Sequence, residues 1–348
     1  MVPLVSICLP NYNYEKFLRE AIESVLEQTY TNFELIIGDN ASTDSSIQII
    51  KSYNDPRIKF FQNETNIPLY QNINKCKGLA KGELIGVIHS DDKYEPNFLE
   101  AVVRTYLENP THKVFVTGVN NWHHESNKVF PWHPYSTGGI IPKYEALLRL
   151  IIQNNAGNGV NVVIHRDCFS KMEMFTEDYK YAADYDLWMR LAEKYDFVYI
   201  PQILANYRIH DSNLSHKVNK NLDMFKEGLE IAERNIIKSK IIPQKIKDEL
   251  NYLSFTNVVS QAFNIGIKYQ SGQTSREMLN YIKQTNLDVR YEPTWYLAYI
   301  LSYFIQEKLP PKVVNSVYLL GRLVLYPHKM HIRNCIEKFI KEITPVIE

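Results

Sequence analysis

The first hundred residues alternate between two hydrophobic periods. Leu4 to Leu9 is a continuous apolar run, the pattern of a strand buried on both faces. Glu15 to Gln28 repeats Phe17, Leu18, Ile22, Val25 and Leu26 at helical spacing and predicts an amphipathic helix. Phe33 to Gly38 is apolar again. Asp44 stands where it can cap a short helix carrying Ile47, Ile49, Ile50 and Tyr53. Ile58 to Phe61 predicts a short strand, Tyr70 to Ala80 a helix, Glu83 to Ile88 a fourth strand and Pro96 to Leu107 a further helix. The β-α-β-α-β-α-β order implies a mostly parallel, doubly wound sheet flanked by helices.

The pattern loosens after Val114. Val114 to Val119, Val160 to Ile164 and Phe197 to Ile200 read as strands, and Ala183 to Glu193 as a helix. Asn121 to Gly139 is rich in Trp, His, Pro and Tyr with little periodicity, and irregular segments of this length are often functional. Asn154 to Gly159 is a turn-rich break. From about Leu214 the chain reads as almost wholly helical. This predicts two regions: 1–215, carrying the sheet, and a mostly helical 216–348.

Composition narrows the classes. The 348 residues are 45% apolar, enough for a real core. Lys plus Arg and Asp plus Glu are both 39, so no net field draws nucleic acid or anionic lipid. Cys8, Cys76, Cys168 and Cys335 lie far apart without a CxxC pair, against a zinc site of the usual spacing and against a disulfide scaffold. With no leader pattern before the first strand, a cytoplasmic setting is expected. No apolar run reaches the roughly 18–20 residues that span a bilayer. Trp295 to Ile305 and Val313 to Tyr326 are apolar and rich in tyrosine. They read either as core helices or as a peripheral contact, over 295–326, with the inner face of a membrane.

Candidate chemistry gathers at predicted strand ends. Asp91 and Asp92 close the fourth strand. Adjacent like charges repel, and a divalent cation carrying phosphate oxygens would relieve that repulsion. The C-terminal edge of an open α/β sheet is where ligands bind. The competing reading is a surface turn capping the next helix. Pro10-Asn11-Tyr12-Asn13 ends the first strand, and Gly38 to Asp44 ends the second. Tyr12 offers a face on which a base can stack, and Asp39 an acceptor for a base or ribose donor. Ordinary turn chemistry explains both equally. No GxGxxG or GxxxxGK[ST] pattern is present, which leaves the phosphates to a cation. Asp184 and Asp186 open a helix; one can cap it, and the other can face the crevice as a base. His210 is a metal ligand or a surface histidine.

Taken in order, these motifs resemble the family 2 inverting glycosyltransferases of the GT-A fold. The resemblance runs through Val5 to Asn13, Ser24 to Tyr30 and Phe33 to Asp44. It continues through Asn66 to Glu83 with its Ala80-Lys81-Gly82-Glu83 ending, then His89-Ser90-Asp91-Asp92 and Ala183-Asp184-Tyr185-Asp186-Leu187-Trp188. It covers roughly residues 3 to 215. It implies that Pro10 and Tyr12 bound a nucleobase pocket, that Asp39 hydrogen-bonds the base, and that Asp91 lies near ribose and diphosphate. It implies that Asp92 binds Mn or Mg, that Asp184 is the catalytic base, and that His210 closes over the diphosphate or metal. The implied donor is a nucleoside-diphosphate sugar, by default a UDP-sugar. The implied acceptor is a hydroxyl of a glycan or lipid-linked glycan in surface polysaccharide assembly. Absence of the Gln-x-x-Arg-Trp motif of processive relatives points to transfer of a single sugar. His89, Ala183, Pro68 and Cys76 depart from the family pattern. The alternatives are a catalytically degenerate GT-A scaffold and a sugar nucleotidyltransferase, though Asn11 to Arg19 lacks the Gly-rich basic loop of the latter.

Overall fold

A computed structural model describes residues 2–153, 159–170, 172–213, 222–242 and 272–285, with positions 244, 247, 259, 262, 298 and 338. In chain order the elements of its larger part are β1 (Val5–Asn11), α1 (Glu15–Leu26), β2 (Phe33–Asp39), α2 (Ser46–Lys51), β3 (Ile58–Gln62), α3 (Leu69–Leu79), β4 (Leu84–Val87), β5 (Lys93–Tyr94), α4 (Phe98–Glu108), β6 (Val114–His123), β7 (Lys128–Trp132), β8 (Gly139–Ile141), α5 (Lys143–Gln153), β9 (Val162–His165), α6 (Ala183–Ala192) and β10 (Phe197–Ile209).

The strands form one sheet in the order β3-β2-β1-β4-β9-β6-β10-β5, with β7 against β6 and β8 against β10. β3, β2, β1 and β4 are mutually parallel, as are β6 and β10. This is the expected α/β architecture, a mostly parallel sheet with helices on its faces. β9 enters antiparallel between β4 and β6. The chain steps outward from β1 to β2 to β3, then returns to place β4 on the other flank of β1. That reversal opens a crevice at the C-terminal ends of β1 and β4.

The reason for the strands is visible in burial. All seven residues of β1 and of β2 are buried, so both faces need an apolar cover. α1 and α4 supply it on one side with Leu18, Ile22, Val25, Phe98, Leu99 and Val102, all wholly buried. Gly82 ends the loop between α3 and β4 because nothing larger fits: a Cβ there would lie 2.6 Å from the Ser6 nitrogen and 2.8 Å from the Leu4 carbonyl. Its N–H donates to Ser6 Oγ at 2.8 Å, and that hydroxyl donates to Glu34 Oε1 at 2.5 Å.

Asn121 to Gly139, read from sequence as irregular, contains a strand return between two irregular stretches. β6 runs on to His123, turns at Asn127 (φ 51°), and returns as β7 in antiparallel register, Asn121 opposite Phe130. Pro131 hid the return strand. Among the described residues β7 pairs with β6 alone, so its other edge needs no donor there, and proline is tolerated. β10 likewise exceeds the expected Phe197–Ile200. It passes Pro201 by a register shift against β6 between Ile200 and Ile203, a bulge that absorbs the missing N–H.

The chain divides into two compact units, Met1–Leu147 with Asn154–Asp211, and Leu148–Gln153 with Ser212–Glu348. In the second, helices Leu222–Lys238 and Gly272–Thr285 pack together. They bury Ile231, Ala232 and Ile236 on one and Met278, Leu279 and Ile282 on the other. The turn at 154–158 and, apart from Ala298, the apolar stretch 295–326 lie outside the described residues. No helix among the described residues is long and apolar enough to cross a membrane.

Candidate active site at the sheet reversal

The tips of β1 and β2 are stitched into one surface. Asp39 is wholly buried. Its Oδ1 accepts from Asn11 Nδ2 (2.9 Å) and Ser42 Oγ (2.6 Å), and its Oδ2 from the Ser42 N–H (2.9 Å). Asn13, at φ 55°, offers Oδ1 to the Thr43 N–H at 2.7 Å. Asp44 accepts from the N–H groups of both Glu15 and Ser46, tying the turn before α2 to the start of α1; the N-cap position of α2 itself is Ser45, which makes no side-chain cap. Turn chemistry therefore occupies most of the Asp39 carboxylate. Tyr12 stands out from this surface, 41% exposed. Pro10 is buried, and its carbonyl accepts from Ser90 Oγ at 2.8 Å, tying the β1 tip to the loop after β4.

That loop carries the acids. Asp91 and Asp92 are both buried. Asp91 Oδ2 lies 3.1 Å from His210 Nε2, so the histidine that closes β10 is brought against Asp91. Asp92 Oδ1 accepts the Arg208 N–H at 2.9 Å, and its Oδ2 lies 3.2 Å from His89 Nδ1. Burial pushes the Asp92 carboxyl above the usual range, and the Asp91 charge adds to this. The Tyr14 phenol, just ahead of α1, is likewise driven far up by burial, then by the charges of Asp91 and Asp92 and a hydrogen bond to Asp91. A surface turn capping α4 is thereby excluded for this pair: the acids face inward, and α4 carries no side-chain cap.

Sequence reading passed over the group that organises them. Arg208 is 1% exposed. Its Nε donates to the Asp91 carbonyl at 2.6 Å, Nη1 donates to His124 Nδ1 at 3.2 Å, and Nη2 pairs with Glu20. The guanidinium is sandwiched by Trp122 (4.0 Å) and Phe17 (4.7 Å). Burial alone would raise the Glu20 carboxyl, but Arg208 and then Lys93 hold it below the usual value. A signal existed. In a strand alternate residues share a face, so Arg208 and His210 fall together, and a charge in a core strand requires a partner.

Asp184 opens α6 and Asp186 follows, yet neither serves as a side-chain cap. Asp186 is committed to Arg190, with Oδ2 2.6 Å from Nε, while that guanidinium also donates to the Glu173 and Met174 carbonyls. Asp184 is the other acid. Burial raises it, against the Tyr185 N–H, the Tyr70 phenol and the charge of His89. His89 supplies the link across the crevice. Desolvation pushes its imidazole down, but the hydrogen bond and charge of Asp92, with Asp91 and Asp184 beyond, lift it above its ordinary value. Asp92 and Asp184 thus act on one imidazole. Ala183, where the family has an acid, is wholly buried.

Among the described residues no three His, Cys, Asp or Glu side chains converge closely enough to enclose a metal unaided. Mn and Mg, however, are held by as few as one or two protein carboxylates and complete their shell with phosphate oxygens and water, a number the carboxylates of this loop can supply. The described cysteines are buried and inert; burial drives Cys76 and Cys168 up to about 12.

Residues 6–175 match the family described as Glycosyl transferase family 2. An uncharacterized glycosyltransferase of Rickettsia typhi is 30% identical over 227 residues, 64% of this chain and 69% of that one. Chondroitin synthase of Escherichia coli is 30% identical over 232 residues, 65% of this chain but only 32% of the synthase. Among solved structures, Staphylococcus aureus TarS 1–349 in complex with UDP-GlcNAc superposes with a TM-score of 0.60 at 17% identity, covering 97% of this chain and 91% of that one. The mannosyltransferase PcManGT from Pyrobaculum calidifontis, in complex with GDP-Man and Mn2+, gives 0.55 at 14% identity over 92% and 87%. These two likenesses establish a shared fold.

Proposed function

The chain belongs to glycosyl transferase family 2, and from that premise we propose that it moves one sugar, with inversion, from a UDP-sugar to a hydroxyl of a glycan or lipid-linked glycan. The observation that carries this reading is the gathering of Asp91, Asp92, His89 and His210 in the loop after β4 and at the end of β10, beside the β1/β4 crevice, with the Asp184 charge also felt at His89. The chondroitin synthase relative and the UDP-GlcNAc-bound neighbour support a nucleotide sugar and a polysaccharide product.

Each side chain has a task. Tyr12 stacks on the base, beside Pro10, and Asp39 accepts from it with the lone pairs its own loop leaves open. Asp92 and His210 would hold a divalent manganese or magnesium ion, with Asp91 alongside. When bound, that ion supplies positive charge against the leaving diphosphate. Asp184 takes the proton of the acceptor hydroxyl as its oxygen attacks the anomeric carbon from the face opposite the diphosphate. The carbon–oxygen bond to the diphosphate breaks with its electron pair, so one displacement inverts the centre. Burial suits Asp184 to this task, since a raised carboxyl is the stronger base. Residues 216–348 are assigned to acceptor, membrane-surface or oligomer contacts.

A panel of nucleotide sugars, incubated with the protein and manganese without acceptor, tests the reading. The expected outcome is slow hydrolysis of a UDP-sugar that stops on chelation. No turnover of any donor, together with no melting shift on adding UDP and manganese, would contradict it.

A further inference from the structure

Two residues one turn apart on α3 grip the segment that delivers Asp184. Asn74 makes a reciprocal pair with the backbone of Phe175: its Nδ2 donates to the Phe175 carbonyl at 2.8 Å, and its Oδ1 accepts the Phe175 N–H at 3.1 Å. Tyr70, four residues earlier and on the same face of the helix, packs its ring on Phe175 with centroids 4.8 Å apart. The Tyr70 hydroxyl then reaches the start of α6, where it lies 3.3 Å from Asp184 Oδ1 and 3.2 Å from the Tyr181 carbonyl.

A phenol has one proton, and here it has two acceptors. When Asp184 is ionised, the Tyr70 O–H donates to it. When Asp184 is protonated, its O–H can donate to the phenol oxygen while the Tyr70 proton turns to the Tyr181 carbonyl. Either state is satisfied, with no buried polar atom left without a partner. A half-buried acid that must gain a proton during turnover and lose it afterwards is served by such a neighbour.

We propose that Tyr70 is a positioning residue for Asp184, fixing the carboxylate by way of α3 and setting the pH at which it ionises. The proposal rests on Asp184 being the base. The other groups acting on that carboxyl are the His89 imidazole, from the loop after β4, and the Tyr185 N–H of its own helix. Neither depends on Tyr70.

The test is a titration of the Asp184 carboxyl carbon by NMR in the full chain, with the signal assigned by its loss in Asp184→Asn. A charge-assisted hydrogen bond favours the carboxylate, so Tyr70→Phe should raise the midpoint by about one pH unit. The acid limb of UDP-GlcNAc hydrolysis should move up with it. Tyr70→Gln keeps a donor but no ring and should shift the midpoint by less than half as much. An unmoved or lowered midpoint in Tyr70→Phe overturns the proposal. So does an equal shift in Tyr70→Gln, which would assign the effect to packing, or failure of Tyr70→Phe to fold. A raised midpoint with an unmoved hydrolysis limb keeps the Tyr70 coupling and rejects Asp184 as base, so the two failures are distinct.

Discussion

Arg208, buried, and Asp184, half-buried, illustrate opposite situations of a charge removed from water. Arg208 is compensated on every side, by Glu20, the Asp91 carbonyl, His124 and two aromatic faces. Replacing it by methionine nearly keeps the volume but removes those hydrogen bonds, and because the Glu20 side chain left behind is 44% exposed and can turn to water, the cost is about 1–2 kcal/mol. We expect Arg208→Met to lower unfolding stability by that order in urea, and UDP affinity with it as the Asp91–Asp92 loop loosens. Asp184 is left raised by burial. The proposed base role requires the ionised form, so on that proposal hydrolysis of a UDP-sugar should rise with pH through a midpoint above the ordinary aspartate value. The same shift sets stability. A carboxyl raised in the folded state holds its proton more tightly than in the unfolded chain. Its ionisation therefore destabilises the fold above that folded value, and the penalty vanishes below the unfolded one. Asp184→Asn should thus melt higher than the parent at pH 7 and converge with it in acid. It should lose about 10²-fold or more in hydrolysis while retaining its UDP-dependent melting shift.

At the scale of elements, continuous apolar runs made β1, β2 and β4 legible, and helical spacing did the same for α1. Reading failed where pairing overrides local pattern. β7 carries Pro131 and exposed Val129 and Phe130, and only its register on β6 makes it a strand. β5, two residues long, is defined by β10 across from it. The Ala80-Lys81-Gly82-Glu83 turn has a physical reason at this level. Gly82 passes against the β1 backbone, and the neighbouring Lys81 N–H donates to Glu34 Oε1 at 2.6 Å. Because the atoms in the way are main chain, Gly82→Ala cannot be relieved by a rotamer change. We expect a loss of about 1–3 kcal/mol in denaturant melts, with the hydrolysis rate per folded molecule unchanged.

For the whole molecule the reversal of strand order at β1 is decisive, since it brings the β1 tip, the loop after β4 and the end of β10 to one edge. A nucleotide binding there selects the folded state. UDP with manganese at about 100 times Kd should stabilise the protein by about 2.7 kcal/mol, read as a rise in Tm. Asp92→Ala should retain a UDP response but lose its manganese dependence; an unchanged manganese titration would remove Asp92 from the ligand set. The linear chain by itself determined the alternating strands and helices, the family, and the acids at strand ends, because hydrophobic period and adjacent motifs are local properties. Tertiary structure alone decided that His210 meets Asp91, that the Arg208 backbone and guanidinium meet the Asp91–Asp92 loop, and that the Tyr70 hydroxyl reaches Asp184; the Asp186–Arg190 pair is one helical turn long and was open to local reading. The pairings of His210 with Asp91, Arg208 with Asp92 and Tyr70 with Asp184 join residues separated by 119, 116 and 114 positions, and their geometry follows from sheet order and burial, which no local pattern encodes.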